Sequence, residues 1–139
     1  MNTAAEILQF IRKTQYCSLA TIEAGEPRVR MVMILRADQQ GILFNTGVTK
    51  DLHKQIEANA AVELCFFDPA SRVQVRVRGR FAPQKDDETF KLVLEKLPFL
   101  KPMVAEHGTG VLAPYLLKKG RATVWTMDNN LAPKTFVDL

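Results

Sequence analysis

Residues Arg72-Val-Gln-Val-Arg-Val-Arg-Gly-Arg-Phe81 alternate apolar and polar without a fault, and a period of two belongs to a β-strand with one buried face. Val73, Val75, Val77 and Phe81 fall on the core side; Arg72, Gln74, Arg76, Arg78 and Arg80 fall on the other. Such a strand needs neighbours, and the chain supplies them. Tyr16–Ile22, Arg28–Leu35, Ile42–Phe44, Ala61–Phe67 and Arg121–Met127 read as strands. Turns at Glu23–Pro27, Ala37–Gly41, Asp68–Ser71 and Asp128–Asn130 separate several of them. The first three form a meander, and Lys134–Asp138 reads as a short last strand. Val111–Leu117 is apolar throughout, and its periodicity decides neither helix nor strand.

Helices flank these strands. Residues 3–14 carry a capping box, with Thr3 as cap and Glu6 three places on. Pro83–Lys96 takes helical spacing through Phe90, Val93, Leu94 and Leu97; Phe99–His107 is a short helix or irregular. The helix before Asn59 follows directly on the strand ending at Phe44 and the polar turn Asn45-Thr46-Gly47. Thr49 is placed to cap it, and Lys50 and Lys54 stand in its first two turns. A helix start with free N–H groups and nearby lysines suits a phosphate. Sequential hairpins with few helices imply a mainly β protein, an antiparallel sheet rolled or closed into a barrel, in one domain over residues 1–139.

Composition narrows the function. The net charge of +4 fits an anionic ligand. No apolar run approaches the ~20 residues of a membrane helix. The N-terminus lacks a basic region followed by an apolar one, and Cys17 and Cys65 form no CxxC, so free thiols in a cytoplasmic protein are expected. No nucleophile elbow, Walker loop or histidine pair is present; His53 and His107 stand far apart. The donors Arg28, Arg30, Asn45, Thr46, Lys50 and Gln74 recur instead at strand edges, where a phosphorylated cofactor would bring the reactivity that side chains lack.

Arg28-Val-Arg-Met-Val-Met-Ile-Leu35, Gly41-Ile-Leu-Phe-Asn-Thr46, Lys50 with His53-Lys-Gln-Ile-Glu57 and Asn59, and Gln74-Val-Arg-Val-Arg-Gly79 follow one another in order. Together they resemble the FMN-binding split barrel of the pyridoxamine 5'-phosphate oxidase family, over roughly residues 5–82. The likeness is nearest to its short bacterial members, of the general stress and nitroimidazole-resistance kind. It implies a six-stranded antiparallel split barrel with flanking helices and a homodimer with FMN at each subunit interface. By position, Arg30, Met31 and Val32 would run beside the flavin, and Arg28 or Arg30 would meet the phosphate. Asn45 and Thr46 would contact the cofactor from the third strand. Lys50 would hold the phosphate, and Gln74 would reach the flavin. Trp125 would line the pocket or sit in the core.

The chain departs from the family pattern at three places. Lys50 is followed by Asp51 where relatives carry a second basic residue, leaving His53 or Lys54 to substitute. Leu35, then Arg36, stands where the oxidases have lysine. The last residues, Asn130–Leu139, lack the Arg-rich segment that the oxidases direct at substrate phosphate. The expected function is an FMN-dependent oxidoreductase of an unidentified small molecule, with pyridoxamine phosphate disfavoured as substrate, and with NADH, NADPH or another electron donor. A carrier or sensor of FMN without turnover is the alternative. A nucleic-acid-binding barrel is disfavoured, because valines rather than aromatics interleave with the arginines.

Overall fold

The computed structural model describes residues 1–139. It contains nine strands and four helices: α1 (Ala4–Thr14), β1 (Tyr16–Glu23), β2 (Glu26–Met33), β3 (Arg36–Asp38), β4 (Gly41–Gly47), α2 (Asp51–Ala58), β5 (Ala61–Asp68), β6 (Val73–Pro83), α3 (Asp87–Lys96), α4 (Lys101–His107), β7 (Leu112–Leu117), β8 (Arg121–Trp125) and β9 (Val137–Asp138). No helix is long and apolar enough to cross a membrane.

All strand pairs are antiparallel, in the order β2-β1-β5-β6-β7-β4-β3, with β8 and β9 attached beyond β6. The two ends of this path are consecutive in sequence. Residues 26–38 are one strand interrupted at Ile34-Leu35, whose first half pairs with β1 and whose second half pairs with β4. Six strands therefore make the barrel, and it is split where β2 leaves β4. The Ile34 N–H donates to the Gln15 carbonyl and the Leu35 N–H to the Leu43 carbonyl, which holds the interruption in place.

This geometry corrects two expectations and resolves one open reading. The meander is incomplete, because β4 meets β3 and not β2. The expected turn at Ala37–Gly41 is tighter: Arg36–Asp38 is a strand, and only Gln39 and Gln40 form the loop. Within the apolar stretch Val111–Leu117, Leu112–Leu117 form the strand β7, central between β4 and β6 and buried at all six positions, while Val111 ends the preceding 3₁₀ turn. A strand covered on both faces shows no alternation, which is why its period was mute.

The local chemistry explains the remaining elements. Thr3 and Glu6 form the capping box of α1, which buries Ile7, Leu8, Phe10 and Ile11. Ala24 and Gly25 both have positive φ, as a two-residue β1–β2 hairpin turn requires. The long strand β6 serves both halves of the barrel: Val73–Arg80 pair with β5, and Phe81–Pro83 with β7. Val75, Val77 and Phe81 enter the main core, as their alternation predicts. A second, smaller core of Leu35, Leu43, Val93, Leu112 and Leu116 lies under α3 and α4.

Candidate functional site

The split between β2 and β4 opens into a groove of about 870 Å³. Arg28, Arg30, Met31 and Val32 line it from β2, Asn45 and Thr46 from β4, and Lys50 from the start of α2. Seven of the residues singled out from the sequence thus meet in one place. Because β2 pairs only with β1, its other edge offers unpaired backbone donors and acceptors to the groove.

One wall is a buried polar network. The Arg30 guanidinium donates to the Thr21 hydroxyl at 2.8 Å, to the Leu19 carbonyl at 3.3 Å, and to Gln55 Oε1. The Thr21 hydroxyl donates to the same Gln55 oxygen at 2.6 Å, and Gln55 Nε2 donates to the Glu23 carboxylate at 2.8 Å. Thr21 is 1% exposed and Gln55 6%. Burial pushes the Arg30 pKa below its usual value, opposed by the charge of Glu23. Arginine remains charged at any physiological pH, so the network holds a fixed cation beside the groove. Thr21, Glu23 and Gln55 are groove-side residues that the sequence pattern does not single out. The available signal was Gln55, an amide on the apolar stripe with Leu52 and Ile56.

A second wall is the start of α2. The expected Thr49 cap is not formed: Lys50 occupies the cap position, and no side chain caps the helix. The first helical hydrogen bond runs from the Lys54 N–H to the Lys50 carbonyl at 3.4 Å, which leaves the N–H groups of Asp51, Leu52 and His53 without an intrahelical partner. Asp51 itself lines the groove, so the helix start carries one lysine and one carboxylate. Between the walls, Asn45 Oδ1 is buried with no hydrogen-bond donor. A buried acceptor left unpaired costs about 1–3 kcal/mol.

Other expected residues lie elsewhere. Lys54 is exposed and outside the groove lining. His53 is engaged at both ring nitrogens, with the Tyr115 hydroxyl at 2.7 Å from Nδ1 and the Glu57 carboxylate at 3.1 Å from Nε2. Gln74 and Trp125 are paired across β6 and β8 and line a separate pocket of about 110 Å³. Trp125 is half-buried and belongs to neither core cluster, and its Nε1 donates to Asn130 at 2.9 Å. The arginine row of β6 is partly engaged: Arg76 pairs with Glu63 at 2.7 Å, and Arg78 covers the Phe136 ring.

The family described as pyridoxamine 5'-phosphate oxidase matches residues 3–114 of this chain. A pyridoxine/pyridoxamine 5'-phosphate oxidase of Hyphomonas neptunium is 43% identical over 67 residues, which are 48% of this chain and 31% of that protein. The match thus spans about a third of the curated relative's length. A NimC/NimA family protein of Clostridium acetobutylicum has a similar structure, with a TM-score of 0.79 and 25% identity over 98% of this chain and 93% of the other. Two more distant structures share the fold. One is a heme-binding protein of Mycobacterium smegmatis, with a TM-score of 0.72 and 13% identity over 99% of this chain and 59% of the other. The other is an FMN-binding protein of Nostoc punctiforme, with a TM-score of 0.63 and 16% identity over 97% and 94%.

Proposed function

Since the chain belongs to the pyridoxamine 5'-phosphate oxidase family, we propose that the groove between β2 and β4 binds FMN and that the protein is an FMN-dependent oxidoreductase of a small molecule. The observation that carries this reading is the unsatisfied chemistry within the groove. Free N–H groups at the α2 start, Lys50 and Arg28 suit a phosphate, and Asn45 Oδ1 lacks a donor that a flavin ring N–H or a ribityl hydroxyl supplies. FMN, when bound, contributes the electron transfer that no side-chain cluster here provides.

The chain's own residues bind and orient. Lys50 and the helix start hold the phosphate, and Arg28 adds a second cation. Arg30 places its charge beside the groove while its hydrogen bonds lock β2 onto β1 and α2. Thr46 and the open edge of β2 meet the polar rim of the ring. The three cations face two carboxylates, Glu23 and Asp51, so one net positive charge is left for an anion.

The same reading includes a homodimer. By the strand register, Tyr16, Ile22, Val29, Met31 and Phe67 share the outer face of the barrel with Gln74 and Trp125, and the first five are exposed. The same face carries Glu63, Arg76 and Arg78, so it joins exposed apolar side chains to charged ones, a mixture suited to a protein partner. A second copy packed there by two-fold symmetry brings its Gln74–Trp125 pocket toward the first copy's groove and completes the site.

Stopped-flow mixing of the FMN-loaded protein with NADH or NADPH tests the enzymatic part. Bleaching of the flavin, followed by reoxidation when a small acceptor is added, supports an oxidoreductase. Flavin that stays oxidised supports a carrier or sensor.

A further inference from the structure

The groove is chemically two-ended. Glu23, Arg28 and Arg30 lie toward the β1–β2 turn, where Gln55 joins them to α2 and so to Lys50 and Asp51. Further along β2 the lining changes to Met33, Leu35, Leu97 and Phe99. Five residues separate Arg28 from Met33, about 16 Å along an extended strand. Leu97 packs against the same second core as Met33 and Leu35. The basic lining residues are Arg28 and Arg30 on the first half of β2 and Lys50 at the start of α2; none lies on the Leu97–Phe99 segment.

Phe99 is the unusual member. It sits on the one-turn 3₁₀ segment Pro98–Leu100 between α3 and α4. Its neighbours Leu97 and Leu100 are anchored in the second core, whereas Phe99 is 74% exposed and lines the groove. An aromatic ring held on a pinned turn and turned outward is poised to stack on a flat ligand.

We infer that the Leu97–Phe99 wall is a subsite for a neutral, planar apolar compound, bound in the same groove as the cofactor. The inference rests on the FMN reading for its charge argument. One phosphate uses the single net positive charge of the lining, and a second phosphorylated molecule would find no surplus cation in the groove. Burial of a flat apolar molecule against Phe99, Leu97 and Met33 contributes roughly 25 cal/mol per Å² removed from water.

The test titrates menadione, a neutral planar quinone, into the protein by calorimetry, with and without bound FMN. Phe99→Ala and Phe99→Asp are the variants; the side chain is exposed, so both should keep the wild-type circular dichroism and thermal midpoint. FMN affinity is measured on the same preparations. The inference expects menadione affinity to fall at least tenfold in both variants, FMN affinity to stay within twofold, and pyridoxal 5'-phosphate not to displace menadione. Equal menadione affinity in wild type and variants, or displacement by pyridoxal 5'-phosphate, overturns it. Failure of the wild type to bind FMN overturns the cofactor reading instead, and menadione binding that still depends on Phe99 upholds the subsite.

Discussion

Arg30 and Gln55 meet beneath the groove, the guanidinium of one donating to the side-chain oxygen of the other across the gap between β2 and α2. Gln55 Oε1 also accepts from Thr21, so one amide serves two donors from two strands. Gln55→Ala leaves the Thr21 O–H without an acceptor and one Arg30 N–H unpaired, although Arg30 still donates to the Thr21 oxygen. Unsatisfied buried groups of this kind cost about 1–3 kcal/mol. Urea denaturation should show that loss; a change under about 0.5 kcal/mol, the scale of an ordinary surface substitution, would contradict the network's role.

Lys50 and Lys54 are one helical turn apart, yet only Lys50 lines the groove. A hydrogen bond to a charged group is worth about 1.5–3 kcal/mol, which converts to roughly 10- to 100-fold in affinity. Lys50→Ala should weaken FMN binding by that factor, read by quenching of flavin fluorescence, with no change in thermal midpoint. Lys54→Ala should leave it unchanged. Equal effects of the two would place the phosphate elsewhere.

Cys17 is 1% exposed, and burial raises its thiol pKa from 9.0 to about 12. Its thiolate is scarce at neutral pH, so the native protein should resist alkylation at this position while the denatured chain reacts. The linkage follows in sign. Between pH 9 and 12 the unfolded state has released the proton and the folded state retains it, so stability falls as pH rises through that window. Below pH 9 this contribution is constant. Burial raises the Tyr115 hydroxyl in the same direction. Chemical denaturation at pH 8 and pH 10.5 should show the decline, and Cys17→Ala should reduce it.

Gly41 opens β4 with φ of +132°, and a Cβ there would sit 2.4 Å from the Leu117 carbonyl oxygen. Backbone cannot yield as a flexible side chain does. Gly41→Ala should therefore destabilise by at least the ~1–3 kcal/mol typical of overpacking, and the soluble yield should drop. A wild-type denaturation midpoint would show that β4 and β7 separate more easily than their pairing implies.

Legibility from sequence followed the physics of each segment. The α1 capping box and the β6 alternation are encoded locally, and both formed as read. The interruption at Ile34-Leu35 is not, because it arises from two hydrogen-bond partners distant in sequence, Gln15 and Leu43. The Thr49 cap lost to Lys50 because the Gly47–Lys50 turn, closed by the Lys50 N–H to the Gly47 carbonyl, starts the helix one residue later. Arg28, Arg30, Asn45, Thr46 and Lys50 were legible as a set through their order along the chain. Their partners Thr21, Glu23 and Gln55 depend on how α2 packs against β1, a tertiary fact that spacing does not carry.

The central claim is that the groove between β2 and β4 is a flavin site. The most direct test is the visible absorption spectrum of the purified protein after incubation with FMN and gel filtration. The account predicts flavin bands that co-elute with the protein at about one FMN per chain and are released as FMN on denaturation. A colourless protein that takes up no FMN, or one that shows a heme Soret band in its place, would contradict it.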